Sequence, residues 1–203
     1  AIGEITTIEQ ADGNHFFIGT GSGLFRAGIG DGRLKLLSDE TVESISTPVH
    51  ELYYHAVSKQ LFIGSYKEGV LIYDMEGTGK IIPCQSPNNV EINQIVALNA
   101  HELLVATGGK GVYKLDVNTC MSEPYITANY SSYNGMNGNN INDIYVDEEE
   151  RIWLANYPTG ITIRNNRYGR YDLIKHSLGN NRSLVNDQVH DVIEDSDGDL
   201  WFA

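Results

Sequence analysis

Long hydrophobic runs are missing from this chain of 203 residues: its apolar residues come in groups of three to six, against the ~18 that a membrane-crossing helix needs. No secretory or transit peptide opens it, because Ala1 leads straight into strand-like residues; in an exported protein the signal is expected to have been removed or to lie outside this segment. Positive charge is scarce as well. Lys and Arg number 14 against 27 Asp and Glu, a net charge of -13. Such a surface repels phosphate backbones and anionic lipid, which argues against nucleic-acid binding and against membrane contact by this segment. Only two cysteines occur, Cys84 and Cys120, 36 residues apart. They make no CxxC and have no His at ligand spacing, so zinc is not expected, and spacing alone leaves open whether they pair. Helical periodicity is also lacking: no segment repeats apolar residues at helical spacing for three turns. What is present is a 41% hydrophobic content, enough to offset chain entropy and exclude disorder, in a length that suits one domain or a piece of a larger one.

The sequence repeats itself. The apolar triplets Phe16-Phe17-Ile18, Leu61-Phe62-Ile63, Leu103-Leu104-Val105, Ile152-Trp153-Leu154 and Leu200-Trp201-Phe202 have centres separated by 45, 42, 49 and 48 positions. Small or polar pairs follow the first four, as Gly19-Thr20, Gly64-Ser65, Ala106-Thr107 and Ala155-Asn156. Six or seven residues past each of these centres stands a glycine followed by an apolar residue: Gly23-Leu24, Gly69-Val70, Gly111-Val112 and Gly160-Ile161. Upstream, Ile5, Val49, Ile92, Ile141 and Val189 open the five units, each with a second branched or aliphatic residue three positions on.

Each unit reads as four short strands joined by turns. Asp12-Gly13 and Asp197-Gly198 supply hairpin chemistry, because those residue types tolerate positive φ. Four strands per repeat of about 45 residues is the arithmetic of a β-propeller blade. The expected fold is therefore all-β: a β-propeller fragment of four complete four-stranded blades plus the first two strands of a fifth. Blades are expected at about 5–48, 49–91, 92–140 and 141–188, with the next starting at 189–203. The fifth unit stops after two strands, so the chain is expected to be part of a longer one whose remaining sequence completes a ring of six to eight blades.

Catalytic chemistry has no visible seat. Six histidines are scattered, none in a nucleophile elbow or a metal-binding helix, and nothing pairs them with Ser or Asp at recognisable spacing. The run Asp195-Ser196-Asp197-Gly198-Asp199 has its Gly fourth where a calcium loop of the EF-hand type wants it sixth, and reads as a hairpin turn. No cofactor is expected.

The polar pairs after the first apolar residue of each unit carry more information: Thr6-Thr7, His50-Glu51, Asn93-Gln94, Asn142-Asp143 and His190-Asp191. Repeat equivalence puts them at similar height on successive innermost strands, around an axial channel. A ring of hydrogen-bonding groups there suits a polar ligand such as a sugar. Polar residues on crowded inner strands also satisfy neighbouring backbones or hold ordered water, so both readings stand. The Gly/Asn/Tyr stretch 129–140 offers Tyr130 and Tyr133 for stacking on sugar rings, or serves as a solvated connector. Arg164, Arg167 and Arg170 with Tyr168 and Tyr171 form the one local basic cluster, suited to carboxylates or simply a surface strand edge.

The segment from Asn186 to Ala203, with its Asn, paired Val189 and Val192, Asp-rich turn with Gly198 and Leu200-Trp201-Phe202, resembles the two-component regulator propeller repeat. Asn140-Ile141-Asn142-Asp143-Ile144 with Asp147 and Ile152-Trp153-Leu154-Ala155 resembles it too, as do Phe17-Ile18-Gly19-Thr20 with Gly23-Leu24, and Gly69 to Asp74. The second and third units depart from it in having Phe62 and Leu104 in place of Trp, and the third lacks the Asp-Gly turn. The resemblance implies the extracytoplasmic, periplasmic sensor region of a membrane histidine kinase, often a hybrid kinase of gut Bacteroidetes that responds to glycan fragments. It further implies an oligosaccharide ligand and a homodimeric parent sensor, with kinase activity elsewhere in the parent and no enzyme in this segment. The rival readings are a propeller enzyme acting on a polysaccharide or small molecule, and a protein-interaction scaffold, although the Gly-His and Trp-Asp signals of WD repeats are missing.

Overall fold

Alternation of apolar and polar residues over five to eight positions, punctuated by Gly, Asn and Asp, leaves the backbone little choice but short antiparallel strands. The computed structural model describes residues 3–38, 42, 44–76, 79–128, 136 and 138–203. Blade 1 is β1 (Ile5–Asp12), β2 (His15–Thr20), β3 (Gly23–Gly30) and β4 (Arg33–Leu37). Blade 2 is β5 (Val49–His55), β6 (Gln60–Ser65), β7 (Gly69–Asp74) and β8 (Ile81–Pro83). Blade 3 follows as β9 (Ile92–Ala97), β10 (Glu102–Thr107), β11 (Gly111–Asp116) and β12 (Ser122–Ile126). Blade 4 is β13 (Ile141–Val146), β14 (Arg151–Asn156), β15 (Gly160–Asn165) and β16 (Arg170–Ile174). A two-stranded sheet of β17 (Val192–Glu194) and β18 (Leu200–Phe202) begins the fifth. Within every sheet the strands lie side by side in chain order.

Register repeats as faithfully as sequence. Ile8 faces Ile18, and the same pair recurs as Leu52 with Ile63, Ile95 with Val105, Ile144 with Leu154 and Val192 with Phe202. Four apolar clusters lie between consecutive blades, and each draws on opposite faces of its two neighbours. Phe17 and Leu24 of blade 1 meet Leu52, Ile63 and Tyr73 of blade 2. Phe62 and Val70 meet Ile95, Val105 and Leu115, while Leu104 and Val112 meet Ile144 and Leu154. The last cluster joins Ala155 and Ile161 to Val189, with Trp153 and Phe202 packed on it. The triplet centres thus point toward the following blade and their neighbours toward the preceding one.

The four repeating glycines are demanded by this stacking. Gly23, Gly69, Gly111 and Gly160 have φ of 139°, 75°, 80° and 88°. A Cβ there would lie 2.2–2.5 Å from the carbonyl oxygens of Ile45, Pro87, Ile126 and Ile174, where the chain leaves one blade for the next. Gly19 and Gly64 answer a different need: a Cβ on them would meet Val49 Cγ1 and Ile92 Cγ2, both at 2.8 Å, so the opening branched residue of the next blade rests directly on the backbone. Ala106 and Ala155 are the corresponding small residues in blades 3 and 4.

Cys84 and Cys120 are joined in a disulfide. It ties the chain just past β8 to the turn before β12, where Gln85 N donates to Cys120 O and Ser122 N to Gln85 O, each at 2.9 Å. Blades 2 and 3 are therefore clamped at their outer edges as well as through their core.

The two ends of the array differ from its interior, and the start of the fifth unit needs correction. Ile5 and Ile8 are 51% and 58% exposed, although their equivalents Val49, Leu52, Ile92 and Ile95 are buried, because those are covered by a preceding blade and β1 has none in this chain. For the matching reason Trp201, on the forward face of the last sheet, is 62% exposed. The first strand of the fifth unit starts at Val192 and not Val189; His190 and Asp191 instead donate their N–H groups to Ala203 O, at 2.7 and 3.4 Å.

Candidate functional site: the inner strand polar ring

The first strand of each of the four full blades carries a register irregularity at the same place. Register slips between Ile5 and Thr7, Val49 and Glu51, Ile92 and Gln94, and Ile141 and Asp143, leaving Thr6, His50, Asn93 and Asn142 as bulged residues. A bulge frees one residue from the ladder and re-aims its side chain. Three of the four aim at the next blade: Thr6 Oγ1 donates to Val49 O at 2.5 Å, Asn93 Nδ2 to Ile141 O at 2.7 Å and Asn142 Nδ2 to Val189 O at 3.0 Å. His50 makes no such bond among the described residues.

The second member of each pair accepts from the next blade. Glu51 Oε1 accepts from Ile95 N at 3.4 Å, Gln94 Oε1 from Ile144 N, and Asp143 Oδ2 from Val192 N at 2.7 Å. In blade 1 the role moves two residues along the strand, where Glu9 Oε1 accepts from Tyr54 N at 2.8 Å. Sequence reasoning put these pairs on a common ring; their geometry joins the innermost strands to one another in a single direction around the arc.

Carboxyl groups on this ring are electrostatically strained. Burial pushes Glu51 up to about 8, against the lowering bond from Ile95 and with the help of Glu9 and Asp143. Burial raises Asp143 to about 7, and its side-chain hydrogen bond with Asp191 adds to the effect. Glu9 is raised by burial too.

At the rim, His190 and Asp191 are exposed. Asn142 Nδ2 lies 3.3 Å from His190 Nδ1, and the Tyr157 ring stands 5.6 Å from the His190 ring, tilted 45°. Tyr157 was not among the sequence candidates, yet a signal existed: it follows Asn156 as Tyr66 follows Ser65, and both tyrosines are exposed on loops between second and third strands. Tyr130 and Tyr133 lie outside the described residues. Of the basic cluster, Arg164 lies over the Tyr125 ring at 4.2 Å while Tyr168 projects into solvent, so the group does not converge.

The Asp-rich turns serve their own hairpins. Asp147 Oδ1 accepts from Glu149 N and Arg151 N at 3.1 and 2.8 Å, and its Oδ2 accepts the Trp153 indole N–H at 2.7 Å. Asp195 repeats this with Asp197 N and Asp199 N, both at 3.0 Å, and with the Trp201 indole at 2.6 Å. Burial alone would raise Asp147, but the bonds from Trp153 and Arg151 outweigh it and hold the carboxyl below its ordinary range; the Trp201 bond does the same for Asp195. Six residues before Phe17, Phe62 and Leu104 stand Ala11, Ala56 and Leu98. The acid is present only where the indole is.

Those two turns coincide with the segments that match a known family. Residues 135–157 and 183–203 match the model of the two component regulator propeller. No curated protein matches the chain. Among solved structures it is similar to the extracellular domain assigned to a hybrid two component system of B. thetaiotaomicron, with a TM-score of 0.76 and 17% identity, covering 100% of this chain and 27% of that one. A second extracellular domain from B. thetaiotaomicron, assigned to a one component system, gives a TM-score of 0.72 at 20% identity, covering 98% of this chain and 28% of the other. PorZ, a bacterial surface component of the type-IX secretion system of Porphyromonas gingivalis, gives 0.63 at 17%, covering 100% and 26%. The chain thus spans about a quarter of the length of these structures, and at such identities the likeness establishes the fold. Segments of its fourth and fifth blades are thus similar to the two component regulator propeller repeat, and the described residues fold as a β-propeller segment.

Proposed function

We propose that this chain is a ligand-sensing segment of the extracytoplasmic, periplasmic part of a membrane sensor histidine kinase, and that the parent responds to glycan fragments. The observation that carries the reading is the match of blades 4 and 5 to the regulator propeller; the extracellular domains of the two Bacteroides relatives support it. The Cys84–Cys120 disulfide fits an oxidising compartment. This segment supplies no kinase chemistry, and its part in the parent is to bind and relay. A ligand that prefers one arrangement of a dimeric sensor shifts the population by its differential affinity for the two arrangements.

Within the segment, the inner-strand groups His50, Glu51, Asn93, Gln94, Asn142, Asp143, His190 and Asp191 are unequal candidates for contact. Glu51, Asn93, Gln94, Asn142 and Asp143 hold neighbouring blades, whereas His190, Asp191 and His50 have donors and acceptors to offer. Tyr157 beside His190 adds an aromatic face of the kind that stacks on sugar rings. Isothermal calorimetry of the chain with a panel of neutral and acidic oligosaccharides is expected to give binding heat for at least one member, lost in His190→Ala and Tyr157→Ala. Silence across the panel overturns the glycan reading and leaves the protein-interaction scaffold as the better account.

A further inference from the structure

We propose that the two open ends of the array are complementary, so that one copy of this chain docks head to tail on another through a joint of the same kind as the four inside it. The head is the back face of blade 1, where Ile5, Ile8, Ile29, Leu34 and Leu36 are all exposed. The pairings of Ile8 with Ile18, Phe16 with Ala27, Ala27 with Leu36 and Ile29 with Leu34 run this apolar face across all four strands. The tail is the forward face of the last sheet, where Ile193 lies opposite Trp201 and both are exposed. Contiguous apolar faces of this kind mark sites of association.

Repeat equivalence supplies the occupant, because the internal joints reuse three contacts. A triplet centre packs on the apolar pair of the next blade: Phe17 on Leu52 and Ile63, Phe62 on Ile95 and Val105, Leu104 on Ile144 and Leu154. The small residue after the triplet carries the opening residue of the next blade, as Gly19 carries Val49 and Gly64 carries Ile92. An inner-strand oxygen of Glu51, Gln94 or Asp143 accepts from Ile95 N, Ile144 N or Val192 N. The two ends hold the missing halves of all three. Trp201 is a triplet centre with nothing in front of it, and Ile8 with Ile18 is a receiving pair with nothing behind it. Ala203 stands where Gly19 and Gly64 stand, and Ile5 where Val49 and Ile92 stand. Asp191 takes the place of Asp143, and Ile8 N that of Val192 N. The tail is also set in advance: Asp195 holds the Trp201 indole at 2.6 Å as Asp147 holds that of Trp153 at 2.7 Å, so docking orders little that was free. Pairing head with head or tail with tail brings like halves together and makes none of the three contacts. The contact is therefore heterologous. It joins copies of this chain and holds whether or not the rim binds a sugar.

The test uses the whole chain. In sedimentation equilibrium its average mass is expected to rise from one copy to two or more between about 1 and 100 μM, the range of a modest apolar interface. A net charge of -13 on each copy opposes the contact, so added salt is expected to strengthen it. Ile8→Lys spoils the head and Trp201→Lys the tail, and each variant alone is expected to stay single. Mixed in equal amounts, the two are expected to form pairs and nothing longer, since one sound head and one sound tail remain. Cross-linking keeps the question answerable if a lysine variant misfolds. A Cβ on Gly19 would lie 3.3 Å from Val49 Cβ, close enough for a disulfide, so Ala203→Cys chains are expected to cross-link to Ile5→Cys chains in preference to their own kind. A chain that stays single at every concentration leaves both faces to further blades of a parent protein and overturns the proposal. Association that survives in either lysine variant alone, or cross-links formed as readily between like chains, overturns it too.

Discussion

Trp153 donates its indole N–H to Asp147 Oδ2, and the same carboxylate closes the hairpin in front of it. Turn and core are thereby coupled in one residue pair: the acid that shapes the turn also fixes the ring that faces the next blade. Removing the acid should undo both. Asp147→Ala is expected to destabilise the chain by about 2–3 kcal/mol, since it strands an indole donor and two turn amides, whereas Trp153→Phe keeps the packing and loses about 1 kcal/mol. Urea denaturation of the two variants measures the difference, and equal losses would contradict the coupling.

Glycine at a hairpin turn is a requirement of two kinds, and they can be separated. Gly111 combines φ of 80° with a would-be Cβ 2.5 Å from Ile126 O, while Gly32 has φ of 69° and open space around it. Gly32→Ala is expected to cost about 1 kcal/mol for the left-handed backbone alone, and Gly111→Ala roughly 2–4 kcal/mol once the blade connection must also move. Thermal melts of the pair should rank them in that order.

Asn93 and His50 occupy the same bulged position, yet only Asn93 reaches the following blade. Asn93→Ala is therefore expected to cost about 1 kcal/mol in unfolding free energy, and His50→Ala less than about 0.5 kcal/mol. Amide exchange in β13 should quicken in the first variant and stay unchanged in the second. Faster exchange in both would mean that the bulge itself, and not its side chain, secures the joint.

The fold was legible because a blade's demands are local and repeat. Triplets such as Leu61-Phe62-Ile63 send alternate residues to opposite faces, and Gly69 or Gly160 marks the close approach that follows, so five phased copies gave strands and register together. The environment of the outermost copies follows from the number of blades and not from the pattern: Ile8 and Trp201 carry the same pattern as Leu52 and Trp153 but have no neighbour alongside. The polar ring was legible in position and only half legible in purpose. Asn93-Gln94 and Asn142-Asp143 look alike as ligand contacts or as links, and the choice rests on a β-bulge that residue types do not announce. Tyr157 escaped notice for a simpler reason, since an exposed tyrosine in a loop gains meaning only when His190 from the next unit is seen beside it.

In the inner-strand bonds to backbone, the side chain comes from the earlier blade and the peptide group it meets from the later one. A peptide group is common to all sequences, so a unit that follows needs no particular residue to be received; it has only to present an N–H or a carbonyl at the right height. Units of this kind can be duplicated, reshuffled or allowed to drift without a matching change in their successor, and an array so built can lengthen while its individual members diverge.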